Sequence, residues 1–288
     1  MNVETINPKN IDKKDKESMI RQNIYHSKTG DYKLCPEPKI IKFPYIVNSY
    51  IEPINSVCKV SVQMQHTLEV ADIFAEHGLE QKNCSVVILY PVGSNFNGSN
   101  YESCENIFEE QVILKTNYLH AMRNQYDIFG GKDKQKFVIY TNPVSVIRDE
   151  QYNPLTLDTL FKIGIITLCY QNTNELLNND MLSNDFLTFQ IYMDTVFQAA
   201  ICGKHDVLLL PIFSNEHNIP VNDQIKIYNV CIMKYSHKFK IIIICVPNYE
   251  NYEIFEMVDS EIIKPQVLTN EIDMEYAAKK MAKLITKP

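Results

Sequence analysis

Val86-Val87-Ile88-Leu89-Tyr90, followed by a polar loop from Gly93 to Ser103 and then by Phe108-Glu109-Glu110-Gln111-Val112-Ile113-Leu114, is the stretch that decides the fold. A short, continuous, β-branched apolar run with no alternation predicts a strand buried on both faces, as in the middle of a parallel sheet. The loop carries turn-forming Gly, Asn and Ser, and the residues after it predict a helix over about Glu105–Met122. The same order recurs downstream. Asp206–Phe213 predicts a second buried strand, Ser214–Val221 a loop, and about Asn222–Tyr235 a helix.

Working outward, Cys58–Gln63 is β-rich, and Thr67–His77 places Leu68, Ala71, Phe74 and Ala75 on one helical face before Gly78 ends it. Phe137–Tyr140, Lys162–Tyr170 and Phe239–Val246 predict further strands, and Ser183–Cys202 a long amphipathic helix with Ser183, Asn184 and Asp185 as candidate caps. The acidic and aromatic stretch Asn248–Met257 reads as an irregular connection, with a last helix over about Asn270–Thr286. This alternation predicts an α/β fold: a mixed, mostly parallel sheet flanked by helices on both faces. Residues 1–16 are polar and charged, which predicts a disordered leader before a single domain over 17–288. In such sheets ligands bind beyond the carboxyl ends of the strands, so the two strand-loop-helix units, 86–122 and 206–235, are expected to share one site.

Composition narrows the function classes. The chain has 288 residues, 45% of them apolar, and a formal net charge of −7, which argues against general nucleic-acid binding and against an anionic membrane surface. Its apolar runs are strand-length and predict no membrane span, and the polar N-terminus lacks the apolar core of an export signal. The expected location is the cytoplasm, with the nucleus also open to it. The eight cysteines are scattered singly, with no closely spaced pair, so they read as reduced core residues rather than a zinc framework.

Around this frame the sequence resembles the microbial-type poly(ADP-ribose) glycohydrolases, a family of macrodomain-like proteins. That family carries a triple-glycine loop followed by Gln-Glu-Glu. Here Gly98-Ser99-Asn100 stands in the place of the glycines, and Phe108-Glu109-Glu110 follows after residues 101–107. His66-Thr67-Leu68-Glu69-Val70-Ala71 is similar to the helix that precedes the family's loop strand. Tyr140-Thr141-Asn142-Pro143-Val144-Ser145-Val146-Ile147-Arg148-Asp149 resembles the segment ending in Phe-Arg-Asp, and Leu208–Phe213 resembles the strand entering a second, diphosphate-binding loop. The matches run in order from about Glu17 to Val246.

The resemblance implies a pocket for ADP-ribose or an ADP-ribosylated protein and no cofactor. Glu110 would be the acid and base of glycosidic hydrolysis, and Glu109 would hold ribose hydroxyls. Gly98, Ser99 and Asn100 would lie against the reacting ribose; Phe213, Ser214, Asn215, His217 and Asn218 would lie along the diphosphate. Several departures oppose this. Ser99 and Asn100 put side chains where glycine lets the backbone approach a ligand, and Phe108 replaces a hydrogen-bonding glutamine. The second loop reads Ser214-Asn215-Glu216-His217-Asn218-Ile219 without a glycine, and Glu216 would repel a diphosphate. Two alternatives therefore stand. Glu109 and Glu110 are either a site pair or solvent-facing helix carboxylates, and the protein is either a glycohydrolase-like enzyme or a non-catalytic scaffold that binds another nucleotide or a protein partner. Arg148 is expected in a structural ion pair with Asp149 or another carboxylate, Thr116 as a brace of its helix, and His217 as a loop residue or a phosphate contact.

Overall fold

The computed structural model describes residues 10–30, 36–43, 58–78, 85–93, 96, 107–122, 137–169, 183–213 and 219–262. In chain order the elements are α1 (Lys13–Thr29), β1 (Lys39–Lys42), β2 (Lys59–Gln63), α2 (Thr67–Gly78), β3 (Val86–Val92), α3 (Ile107–Lys115) and α4 (Tyr118–Met122). They continue with β4 (Phe137–Val146), β5 (Phe161–Cys169), α5 (Ser183–Cys202), β6 (Val207–Pro211), α6 (Val221–Tyr235), β7 (Ile241–Cys245) and α7 (Tyr249–Ile262).

The strands form one seven-stranded sheet in the order β1-β4-β5-β3-β6-β7-β2. From β5 to β2 every pairing is parallel, while β4 and β1 extend the sheet antiparallel at one edge. β3 and β6 are direct neighbours, with Val86 opposite Val207 and Ile88 opposite Leu209, so their carboxyl ends open side by side. The sequence predicts the two loops at one edge of the sheet and both strands buried; all of Val86–Val92 and Val207–Pro211 is buried, and the direct pairing of β3 with β6 emerges only from the fold.

Two apolar cores explain the layering. Alternate strand residues Val87, Leu89, Leu208, Leu210, Ile242 and Ile244 face α5, α6 and the Phe255 end of α7. Their neighbours Ile88, Tyr90, Val92, Val207, Leu209 and Ile243 face α2, α3 and α4. The two-residue period of a strand thus feeds a helix layer on each side, which is the three-layer solution for a parallel sheet.

Four expectations change. Structure begins before residue 17: Asp12 Oδ1 accepts from Lys14 N–H at 2.8 Å and caps a helix that starts at Lys13, so Lys13–Lys16 belong to the fold and not to a leader. The helix expected over Glu105–Met122 breaks at Thr116 and Asn117, because these residues pair with the end of β4: Thr116 bridges Val146, and Asn117 exchanges bonds with Ser145. Asn248–Met257 is helical rather than irregular. Asn248 Oδ1 caps Glu250 N–H at 2.8 Å, and Tyr252 and Phe255, three residues apart, both turn to the core. Lys39–Lys42 adds an edge strand that its Lys-Ile-Ile-Lys pattern did not announce. The helix expected over Asn270–Thr286 lies outside the described residues.

At the amino edge of the parallel strands, His205, just before β6, links Ser85 at the head of β3 to Tyr140 on the antiparallel β4. Its Nδ1 lies 2.7 Å from Ser85 Oγ and its Nε2 lies 2.8 Å from the Tyr140 hydroxyl. The ring is pressed onto backbone, since a Cβ built on Gly164 would come within 2.7 Å of its Cε1 and one on Gly203 within 2.6 Å of its Cδ2. Burial pushes the imidazole down to about 4, against a smaller opposing pull from the Asp206 carboxylate and a bond at Ser85.

Candidate functional site

The site expected at the carboxyl edge is framed by the exits of β3 and β6. At β3 the chain leaves through Gly93, whose N–H donates to Glu109 Oε1 at 2.7 Å. The Tyr90 hydroxyl donates to the Glu109 carbonyl at 3.0 Å, and Cys169 Sγ approaches the Gly93 carbonyl at 3.6 Å. Glu109, in the first turn of α3, is wholly buried. It therefore ties the start of the first loop to the helix that follows the loop, using a carboxylate to accept from a backbone donor that would otherwise be stranded.

Glu110 turns a different way, because adjacent helix residues diverge by about 100°. Its Oε1 lies 2.7 Å from Lys16 Nζ on α1, with side-chain exposures of 9% and 10%, so this ion pair is nearly removed from water. Neither glutamate is a solvent-facing helix carboxylate. The Tyr152 phenol is pushed up by burial first and by the Glu110 charge second. Tyr152 adopts φ of 65°, a left-handed conformation that a bulky residue rarely takes. It is held there by Arg148 Nη1 on its carbonyl at 2.9 Å and by Lys115 Nζ 4.7 Å from its ring centroid.

The exit of β6 is framed in the same manner by α6. Gln224, fully buried in the first turn of that helix, accepts from Phe213 N–H at 2.8 Å and donates to Phe213 O at 3.0 Å and Ile219 O at 2.9 Å. One side-chain amide thus grips both residues that flank the second loop. The Tyr228 hydroxyl, one turn on, donates to Pro211 O at 2.6 Å. Phe213 itself is buried edge-on against Phe189, with ring centroids 5.0 Å apart.

Of the residues singled out in the sequence, Glu109, Glu110 and Phe213 are therefore placed: Glu109 and Phe213 in the framework of the loops, and Glu110 in the ion pair with α1. Gly98, Ser99, Asn100, Ser214, Asn215, His217 and Asn218 lie outside the described residues. Phe108, in the place of a glutamine, packs edge-on against Tyr90 with centroids 5.8 Å apart. Thr116 braces the α3–α4 break, with Oγ1 donating to Val112 O and accepting from Tyr118 N–H. Arg148 donates to Asn23 and Gln22 of α1 and to Tyr152 O, while Asp149 turns to the N–H groups of Gln151 and Asn153. The expected Arg148–Asp149 pair is thus replaced by contacts that hold α1.

Sequence reading missed Lys16 and Gln224. Lys16 stands in a run of alternating charges, whose usual meaning is a solvated face, and Gln224 is one polar residue on a helix; neither position carries a local signal. The cap at Asp12 was the one available hint that a helix began before residue 17. Among the described residues no group of His, Cys, Asp and Glu is arranged to hold a metal, and no helix is long and apolar enough to cross a membrane.

A seven-stranded mixed sheet between two helix layers, with paired loops at the carboxyl ends of adjacent central strands, defines a macrodomain-like α/β protein. Among solved structures the chain resembles the poly(ADP-ribose) glycohydrolase of Thermomonospora curvata, with a TM-score of 0.66 and 12% identity over 85% of this chain and 99% of that one. The same enzyme bound to the inhibitor ADP-HPD gives a TM-score of 0.65. The poly(ADP-ribose) glycohydrolase of Deinococcus radiodurans in complex with ADP-ribose gives 0.57, with 11% identity over 87% of this chain and 93% of that one. No family model matches the sequence, and no curated relative does. The chain has the fold of the bacterial poly(ADP-ribose) glycohydrolases in a strongly diverged sequence.

Proposed function

We propose that this protein binds ADP-ribose conjugates, as free ADP-ribose or on an ADP-ribosylated protein, across the carboxyl ends of β3 and β6, and that Glu110 is held silent as an acid. The shared fold with a glycohydrolase in complex with ADP-ribose supports the ligand class. The observation that carries the silence is the 2.7 Å contact between Glu110 Oε1 and the buried Lys16 ammonium. A general acid must present a proton to the leaving oxygen, whereas an ion-paired carboxylate is an acceptor only.

Incubation with a poly(ADP-ribosyl)ated protein separates binding from turnover. The expected result is retention of the modified protein, with ADP-ribose release at the background rate and no change in that rate on Glu110→Gln. Rapid release that disappears in Glu110→Gln would establish the second reading, a hydrolase with Glu110 as acid and base. The observation favouring that reading is the position of Glu109 and Glu110 in the first turn of α3, directly after the first loop.

A further inference from the structure

We propose that α1 is a self-inhibitory strap: by inserting Lys16 beside Glu110 it holds the acid–base position silent, and its displacement turns a binder into a hydrolase. The inference rests on the ligand reading above. Lys16 arrives from 94 residues away in sequence, on a helix that packs against α3 and α4.

The way α1 is attached supports a reversible role. The residues it buries are Lys16, Asn23 and Ser27, all polar, where α6 buries Ile225, Ile227, Tyr228 and Ile232. Its anchors include the directional bonds of Lys16 to Glu110, Asn23 Nδ2 to Leu114 O at 2.9 Å, Arg148 Nε to Asn23 Oδ1 at 3.3 Å, and Arg148 Nη2 to Gln22 Oε1 at 2.9 Å. Its apolar side chains Met19, Ile20 and Ile24 are only half-buried, and Tyr25 is 62% exposed. A helix whose fully buried side chains are all polar belongs to the low-stability end of a fold, which opens locally while the core stays closed.

The chemistry that the strap withholds is balanced as follows. A protonated Glu110 gives its proton to the glycosidic oxygen as the bond from that oxygen to the anomeric carbon breaks. Water then adds its oxygen to the anomeric carbon and returns a proton to the Glu110 carboxylate. One water is consumed and two hydroxyls are formed. With the Lys16 ammonium at 2.7 Å, the Glu110 carboxylate is engaged with a cation in place of a leaving oxygen.

The test uses the full chain and a poly(ADP-ribosyl)ated protein as substrate, with ADP-ribose affinity measured in parallel. Lys16→Met is expected to raise the release rate at least about tenfold over the unmodified protein, to bind ADP-ribose as before, and to lose the gain in the Lys16→Met, Glu110→Gln double variant. Asn23→Ala loosens α1 while Arg148 keeps its bonds to Tyr152 O and Gln22 Oε1, is expected to change release in the same direction, and decides the question if Lys16→Met does not fold. Intact ADP-ribose binding with background release in both folded variants overturns the strap and leaves the binding function standing. Absence of ADP-ribose binding by the unmodified protein overturns the binding function, and the strap with it.

Discussion

Acidification should destabilise this protein through His205 in a defined window. The folded imidazole, buried between Ser85, Tyr140 and the backbone at Gly164 and Gly203, takes up a proton only at about 4, while the unfolded chain protonates the same residue near the ordinary 6.5. Between these values the unfolded state binds more protons than the folded state, so stability is fully present above about 6.5 and is lost as the pH falls towards 4. The gap corresponds to about 3 kcal/mol, a large fraction of the stability of an ordinary domain. Urea unfolding of the unmodified protein and of His205→Gln across this range isolates the effect, because the carboxylates and the other histidines titrate in both proteins and cancel in the difference. The unmodified protein is expected to be the more stable at neutral pH, with its advantage shrinking by about 2–3 kcal/mol as the pH approaches 4.5. A difference that stays constant with pH would refute the reasoning.

The two loop clamps yield further expectations. Gln224→Leu strands the Phe213 N–H and the carbonyls of Phe213 and Ile219, and is expected to destabilise by about 3 kcal/mol in urea unfolding; Gln224→Glu keeps one acceptor but sets a buried carboxylate against those two carbonyls and is expected to lose at least as much at neutral pH. Glu109→Ala removes the acceptor for Gly93 N–H and is expected to destabilise by about 2 kcal/mol, whereas Glu109→Gln, which retains an acceptor oxygen, should stay within about 1 kcal/mol of the unmodified protein by the same measurement. A double-mutant cycle on Lys16 and Glu110 should show coupling of about 2 kcal/mol or more, since either single change leaves a buried charge without its partner; additive losses would mean the pair contributes little as a pair.

The sheet was legible where burial is written as apolar runs. Val86–Val92 and Val207–Pro211 are buried on both faces, so their composition reports the centre of a parallel sheet without any long-range information. Ser183–Cys202 was likewise readable to its ends. α1 was not, because its buried residues are Lys16, Asn23 and Ser27, and a pattern method weighs such residues as solvent-facing. The break at Thr116-Asn117 comes from pairing with Val146 and Ser145, a contact that α3 and α4 do not encode locally.

At the candidate site, the sequence predicts Glu109 and Glu110 within a helix from about Glu105 that follows a loop; the helix is observed from Ile107, which sets both in its first turn. Their opposite commitments, to Gly93 N–H and to Lys16 Nζ, depend on which neighbour each meets 100° apart around the helix. That distinction separates a structural carboxylate from a catalytic one and appears only in three dimensions.

Isothermal titration of the purified full chain with ADP-ribose tests the central claim most directly. The account predicts saturable binding in the micromolar range, unchanged by Glu110→Gln when the variant is folded. No heat of binding with millimolar ADP-ribose would contradict it.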